Sequence, residues 1–108
     1  MIAKEILIAA RAKIDTPSKL AKGWFATDVN GVRVSSSSPN AVCFCSLGAV
    51  YSCDEAPEGS LYHTPETMKA VSLLEAALGS WKIPYFNDNS THAEVLELFD
   101  KAIALATD

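Results

Sequence analysis

Apolar side chains recur at steps of three and four along residues 2–14, where Ile2, Ile6, Ala9, Ala10 and Ile14 fall on one face and Lys4, Glu5, Arg11 and Lys13 mostly elsewhere. That period predicts an amphipathic helix. Asp15-Thr16-Pro17 closes it and opens a short second one, with Thr16 as cap, Pro17 at the first helical position and Gly23 at a left-handed exit. After Gly23 the period changes. Trp24-Phe25-Ala26-Thr27, Asp28-Val29-Asn30-Gly31 and Val32-Arg33-Val34 read as a short β-hairpin near residues 24–34, turned by Asn-Gly. Strands this short cannot stand alone, so the hairpin is expected to lean on helices through Trp24, Phe25 and the two valines. Ser35 to Asn40 is a polar loop.

Ala41 to Cys45 then leads into a small and apolar run ending at Cys53, which predicts a buried helix whose first turn lies near Cys45. Gly48 and Ala49 inside it point to close approach of a neighbouring helix. Asp54 to Tyr62, with Pro57 and Gly59, is expected as a surface loop. Thr64-Pro65 opens a further helix with Met68, Val71, Ser72, Leu74, Ala77 and Leu78 inward, stopped by Gly79. Trp81, Ile83, Tyr85 and Phe86 around Pro84 read as an aromatic linker. Thr91-His92-Ala93-Glu94 is a capping box. Behind it Val95, Leu98, Phe99, Ala102 and Leu105 form a buried stripe widened by Leu96 and Ile103, with Glu97 and Lys101 as an outward pair. The sum is a compact, mainly α domain of four to five helices with a minor β component, and residues 1–108 are expected to form a single globular helical domain.

Charge adds a polarity that the pattern does not show. Nine Lys and Arg stand against 13 Asp and Glu, a net charge of −4, which argues against general nucleic-acid binding because a basic footprint supplies most of that affinity. The first 22 residues carry +3 and the remainder −7, so the basic first helix is a candidate docking surface for an acidic partner. No run of about 18 apolar residues predicts a membrane span. The three cysteines, Cys43, Cys45 and Cys53, are an odd count without a recognisable signal peptide, so free thiols and a cytoplasmic location are expected. Cys43, Cys45, Cys53, His63 and His92 match no zinc spacing, the glycines form no phosphate loop, and neither metal nor cofactor is expected.

Two segments carry a resemblance: Ala41-Val42-x-Phe44-Cys45-Ser46-Leu47-Gly48-Ala49, and Asn87-Asp88-x-x-x-Thr91-His92-x-Glu94-Val95-Leu96-x-Leu98-Phe99-Asp100-x-Ala102-Ile103. With the N-terminal helix, Trp24 and the Asn30-Gly31 turn, the chain resembles a family of small bacterial and bacteriophage proteins of unknown function. The resemblance implies a compact, largely helical unit and a cysteine at position 45, and it implies no activity.

One polar constellation stands out as candidate chemistry. Cys45 lies near a helix start, where unpaired N–H groups favour a thiolate, and His92 lies in the first turn of another, where the same dipole favours a neutral base. Convergence of the two starts would give a thiol hydrolase, with Cys45 as nucleophile, His92 as base and Asn87 or Asp88 as orienter. Against this, Cys45 serves equally as a small buried hydrophobe, Asn87 and Asp88 as turn and cap residues, and His92 as a capping neighbour. Trp24, Phe25, Trp81, Tyr85 and Phe86 lack a basic groove beside them and are expected in the core. The leading expectation is a binding or interaction protein without catalysis, phage-associated and directed at a host protein, with Trp24, Asp88, His92 and Glu94 as binding residues. Self-association, a small-molecule-binding domain and the thiol hydrolase are the alternatives.

Overall fold

The computed structural model describes residues 1–56 and 62–107. The elements run α1 (Ala3–Lys13), a 3-10 turn (Pro17–Lys19), β1 (Ala26–Thr27), β2 (Arg33–Val34), β3 (Cys43–Phe44), α2 (Ser46–Ser52), α3 (Pro65–Leu78), α4 (Ile83–Asn89) and α5 (His92–Leu105). Among the described residues, five α-helices and a small antiparallel sheet of order β2-β1-β3 make this a mainly α fold. No helix among the described residues is long and apolar enough to cross a membrane.

Helix α1 is the centre of the packing, touching α2, α3 and α5, while α3 and α5 also lie against each other. Because it is covered on several sides, its buried stripe is Ala3, Ile6, Leu7, Ala10 and Ile14. Ile2 is exposed and Ala9 only partly covered, so the expected stripe is turned by one position toward Ala3 and Leu7. In α3 the inward residues are Thr67, Ala70, Val71 and Leu74, and Met68 and Ser72 face out. Thr64 caps this helix at the Thr67 N–H (3.3 Å), and Gly79 ends it with φ +76°. α5 has the expected box: the Thr91 hydroxyl accepts from the Glu94 N–H at 3.1 Å, and Glu94 Oε1 accepts from the Thr91 N–H at 2.8 Å. Val95, Leu98, Phe99 and Ala102 are buried behind it, whereas Leu105 is exposed.

The hairpin differs from a two-residue Asn-Gly turn. Asp28 N–H donates to the Val32 carbonyl, and Asp28 Oδ1 accepts from the N–H groups of Asn30 and Val32, closing a loop of three residues. Only Gly31 takes positive φ (+79°), the form of a type I turn followed by a left-handed glycine. β1 pairs with β2 through Ala26–Val34 and Thr27–Arg33, and with β3 through Ala26–Phe44 and Thr27–Cys43. The sheet therefore meets the core through Ala26, Val34 and Phe44. Trp24, Phe25 and Val32, expected to make that contact, are exposed. The far edge of β3 is covered by the chain after the 3-10 turn, where Ala21 N–H donates to the Phe44 carbonyl.

Two further expectations are corrected. Residues 83–89 are not a linker but the helix α4, which starts with Pro84 in its first turn, a position where the missing proline N–H costs nothing. Trp81 and Tyr85 are exposed, so the aromatics of this segment are outside the core except for the partly buried Phe86. Residues 57–61 of the expected surface loop lie outside the described residues.

Candidate functional site

The start of α2 is built from two side chains. Cys45 is its N-cap, with Sγ accepting from the Gly48 N–H at 3.3 Å. Asn87, only 1 % exposed, reaches over from α4, and its Oδ1 accepts both the Ser46 N–H (2.9 Å) and the Ser46 hydroxyl (2.7 Å). Its Nδ2 donates to the Ala21 carbonyl (3.0 Å) and to Asp88 Oδ1 (3.1 Å). Both acceptor sites and both donor hydrogens of this amide are thus engaged, which ties α4, α2 and the segment before the hairpin together. Asp88 Oδ1 also accepts from the Gly23 N–H at 3.0 Å, where Gly23 has φ +83°.

Gly48 lets α2 sit against the hairpin. A Cβ there would lie 1.8 Å from the Phe25 carbonyl oxygen, so the close neighbour is the backbone entering β1 and not another helix. The Cys45 N–H donates to that same carbonyl at 3.1 Å. Burial raises the Cys45 thiol above its ordinary pKa; N–H donation by Gly48 and Leu47 pulls the other way without cancelling it, and the Asp88 charge adds to the rise. The thiolate expected at this helix start is therefore disfavoured. Cys45 caps, and it does so as a thiol.

His92 is engaged elsewhere. Its Nε2 lies 2.6 Å from the carbonyl oxygen of Ile14, at the end of α1. A carbonyl offers no hydrogen, so Nε2 must donate, and the ring pins the exit of α1 to the start of α5. Glu94 is consumed by the capping box, and its hydrogen bonds from Thr91 hold its carboxyl below the ordinary range. Of the residues singled out from the sequence, the fold brings together Trp24, Cys45, Asn87 and Asp88.

Trp24, Cys45 and Asp88 border an open cleft of about 800 Å³, with Asn87 buried behind it. Strand pairing between β1 and β2 stops at Ala26–Val34, and the rung that would join Trp24 to Ser36 is not made. The two chains splay apart, with Gly23, Trp24 and Phe25 on one lip, Arg33 to Ser36 on the other, and Pro84 and Asp88 of α4 across from them; Cys45 also lines the cleft. Trp24 is 49 % and Phe25 52 % exposed. The Arg33 guanidinium lies 4.9 Å from the Trp24 ring centre, and Phe25 meets Tyr51 edge to face at 5.7 Å. Phe25, Arg33 and Pro84 were not among the sequence candidates. Alternation carries the signal for Arg33: one residue before the core-facing Val34, it must point to the other face of the sheet. His92 and Glu94 do not line this cleft, and Glu94 borders a smaller, separate depression of about 220 Å³ with Phe86, Leu98 and Lys101.

The basic N-terminal region is partly spent on the protein itself. Arg11 Nε stands 2.7 Å from Asp100 Oδ1 on α5, with Nη2 donating to Oδ2 at 3.2 Å. Lys13 Nζ lies 5.2 Å from the Phe44 ring centre, and Lys22 Nζ donates to the Ser90 carbonyl.

Fold and site together define a mainly helical protein with a three-stranded sheet whose splayed end forms an open, aromatic-lipped cleft. The chain belongs to the Family of unknown function (DUF6197), whose model matches residues 2–105. No curated protein and no solved structure matches it.

Proposed function

We propose that this is a binding protein without catalysis, working from the cytoplasm and, in line with its resemblance to phage-borne proteins, on a host protein, which it engages with the cleft at the splayed end of the hairpin. The observation that carries this reading is the pairing of Trp24 and Phe25, each about half exposed, with Arg33 stacked on the Trp24 ring. Tryptophan and arginine dominate the energetics of protein interfaces, and a large aromatic left half in water beside a concavity gains much from being covered. The lips are held by the buried Asn87, by the close approach at Gly48 and by the Gly23–Asp88 hydrogen bond, so the site is preorganised. Cys45 supports the same reading, because a capping thiol with a raised pKa is a poor nucleophile.

A small-molecule ligand is a second reading, favoured by a cleft volume within the range of roughly 300–1,000 Å³ usual for such sites. Selection from a displayed random-peptide library, followed by affinity measurement on Trp24→Ala and Phe25→Ser, tests the primary proposal. It predicts peptides that bind the native protein and lose roughly tenfold or more in affinity with either variant, as for interface anchors. Selected peptides indifferent to both substitutions would overturn it. Sedimentation of the native protein checks self-association, which would instead cover these aromatics with a second copy.

A further inference from the structure

We infer that the cleft recognises an extended peptide segment carrying a single carboxylate, an Asp or Glu side chain or a chain terminus, docked on Arg33 next to an apolar residue seated on Phe25 and Pro84. This rests on the reading of the cleft as a protein-binding site. Arg33 is exposed and forms no ion pair among the described residues, unlike Arg11, which Asp100 neutralises. Its guanidinium is nevertheless held, because it lies over the Trp24 ring at 4.9 Å. A cation placed on an aromatic face keeps its N–H edge directed outward, and that planar fork matches an oxygen pair bidentately.

Asp88 narrows the choice of anion. Its carboxylate faces the same cleft, with Oδ1 occupied by Gly23 and Asn87. Arg33 and Asp88 balance, so the cleft carries no surplus of positive charge; recognition rests on the local Arg33 fork, where a doubly charged phosphate, costlier to strip of water than a singly charged carboxylate, is the poorer fit. The extended form follows from the backbone. Pairing ends at Ala26–Val34, and the unmade rung between Trp24 and Ser36 leaves main-chain positions that a peptide in strand conformation can meet.

The same library selection, run in parallel on the native protein and on Arg33→Glu, tests this. Arg33 is exposed, and far-UV circular dichroism verifies that the variant keeps its fold. The expected result is enrichment of an acidic residue beside a bulky apolar one on the native protein, and a switch to a basic residue at that position on Arg33→Glu. Arg33→Ala should weaken the native-selected peptides roughly ten- to hundredfold, the value of a hydrogen-bonded charge, with Arg33→Lys between. Peptides that depend on Trp24 yet show no acidic preference and no response at Arg33 would overturn this inference and leave the binding cleft standing. Peptides indifferent to Trp24 would sink both. Tighter binding of phosphopeptides than of their Glu counterparts would also overturn it, as would tight binding of benzoate or indole-3-acetate with no acidic peptide selected.

Discussion

At the scale of single residues, Gly48 and Cys45 show how little of this site is free to vary. Gly48→Ala drives a methyl group into the Phe25 carbonyl, which is backbone and cannot swing away, so α2 and the lip of the cleft must separate. We expect a loss of at least the ~1–3 kcal/mol typical of overpacking, read as a lowered denaturation midpoint. Cys45→Ser keeps a capping oxygen, and Cys45→Ala costs about 1 kcal/mol more, the usual value of an N-cap. In the native protein Cys45 should react with iodoacetamide more slowly than the partly exposed Cys43 and Cys53, measured by mass spectrometry of labelled peptides. The sequence placed Cys45 correctly at a helix start but not the state of its thiol. The helix dipole is a local property, whereas burial by α4 and the hairpin is not, and burial wins. His92 was legible as a first-turn residue for the same local reason, while its partner, the Ile14 carbonyl, lies 78 residues away.

Between elements, the decisive contacts are polar and few. Asn87 joins α4 to α2 and to the chain before the hairpin, and Asn87→Ala would strip the buried Ser46 N–H and the Ala21 carbonyl of their partner. A cost of about 1–3 kcal/mol for each group left unsatisfied is expected, measured by urea unfolding. The turn after α2 holds a second such junction. There the Asp54 side chain, 6 % exposed, accepts from Ala56 and Thr64 N–H groups and meets His63 Nδ1 at 2.6 Å, with His63 stacked on Tyr51. Burial opposes ionisation of Asp54, but these hydrogen bonds outweigh it and hold its carboxyl below the ordinary range. Stability from this group is therefore fully present above the unfolded carboxyl pKa of about 3.9 and is lost as pH falls through the lower folded value. Asp54→Asn should be less stable than the native protein at neutral pH, and the difference should shrink in acid. The long helices were readable because caps, prolines and periodic apolar residues are local signals. The strands of two residues each, and α4 with its exposed aromatics, were not, because their form is set by the surfaces they meet.

For the molecule as a whole, the segregation of charge visible in the sequence leads to a different surface from the one it first suggests. The basic end folds back, Arg11 onto Asp100 and Lys22 onto Ser90, which leaves Arg33, outside that basic end, as the cation beside the cleft. Trp24 and Asp88, read from the sequence as binding residues, border the cleft, and His92 and Glu94 serve the packing and capping of α5. The most direct test is a chemical-shift map of the ¹⁵N-labelled protein titrated with its tightest selected peptide. The largest shifts are expected at Gly23 to Phe25, Arg33 to Ser36 and Asp88; shifts centred on Arg11 and Lys13 of α1, with the cleft unmoved, would rule out the cleft as the binding site.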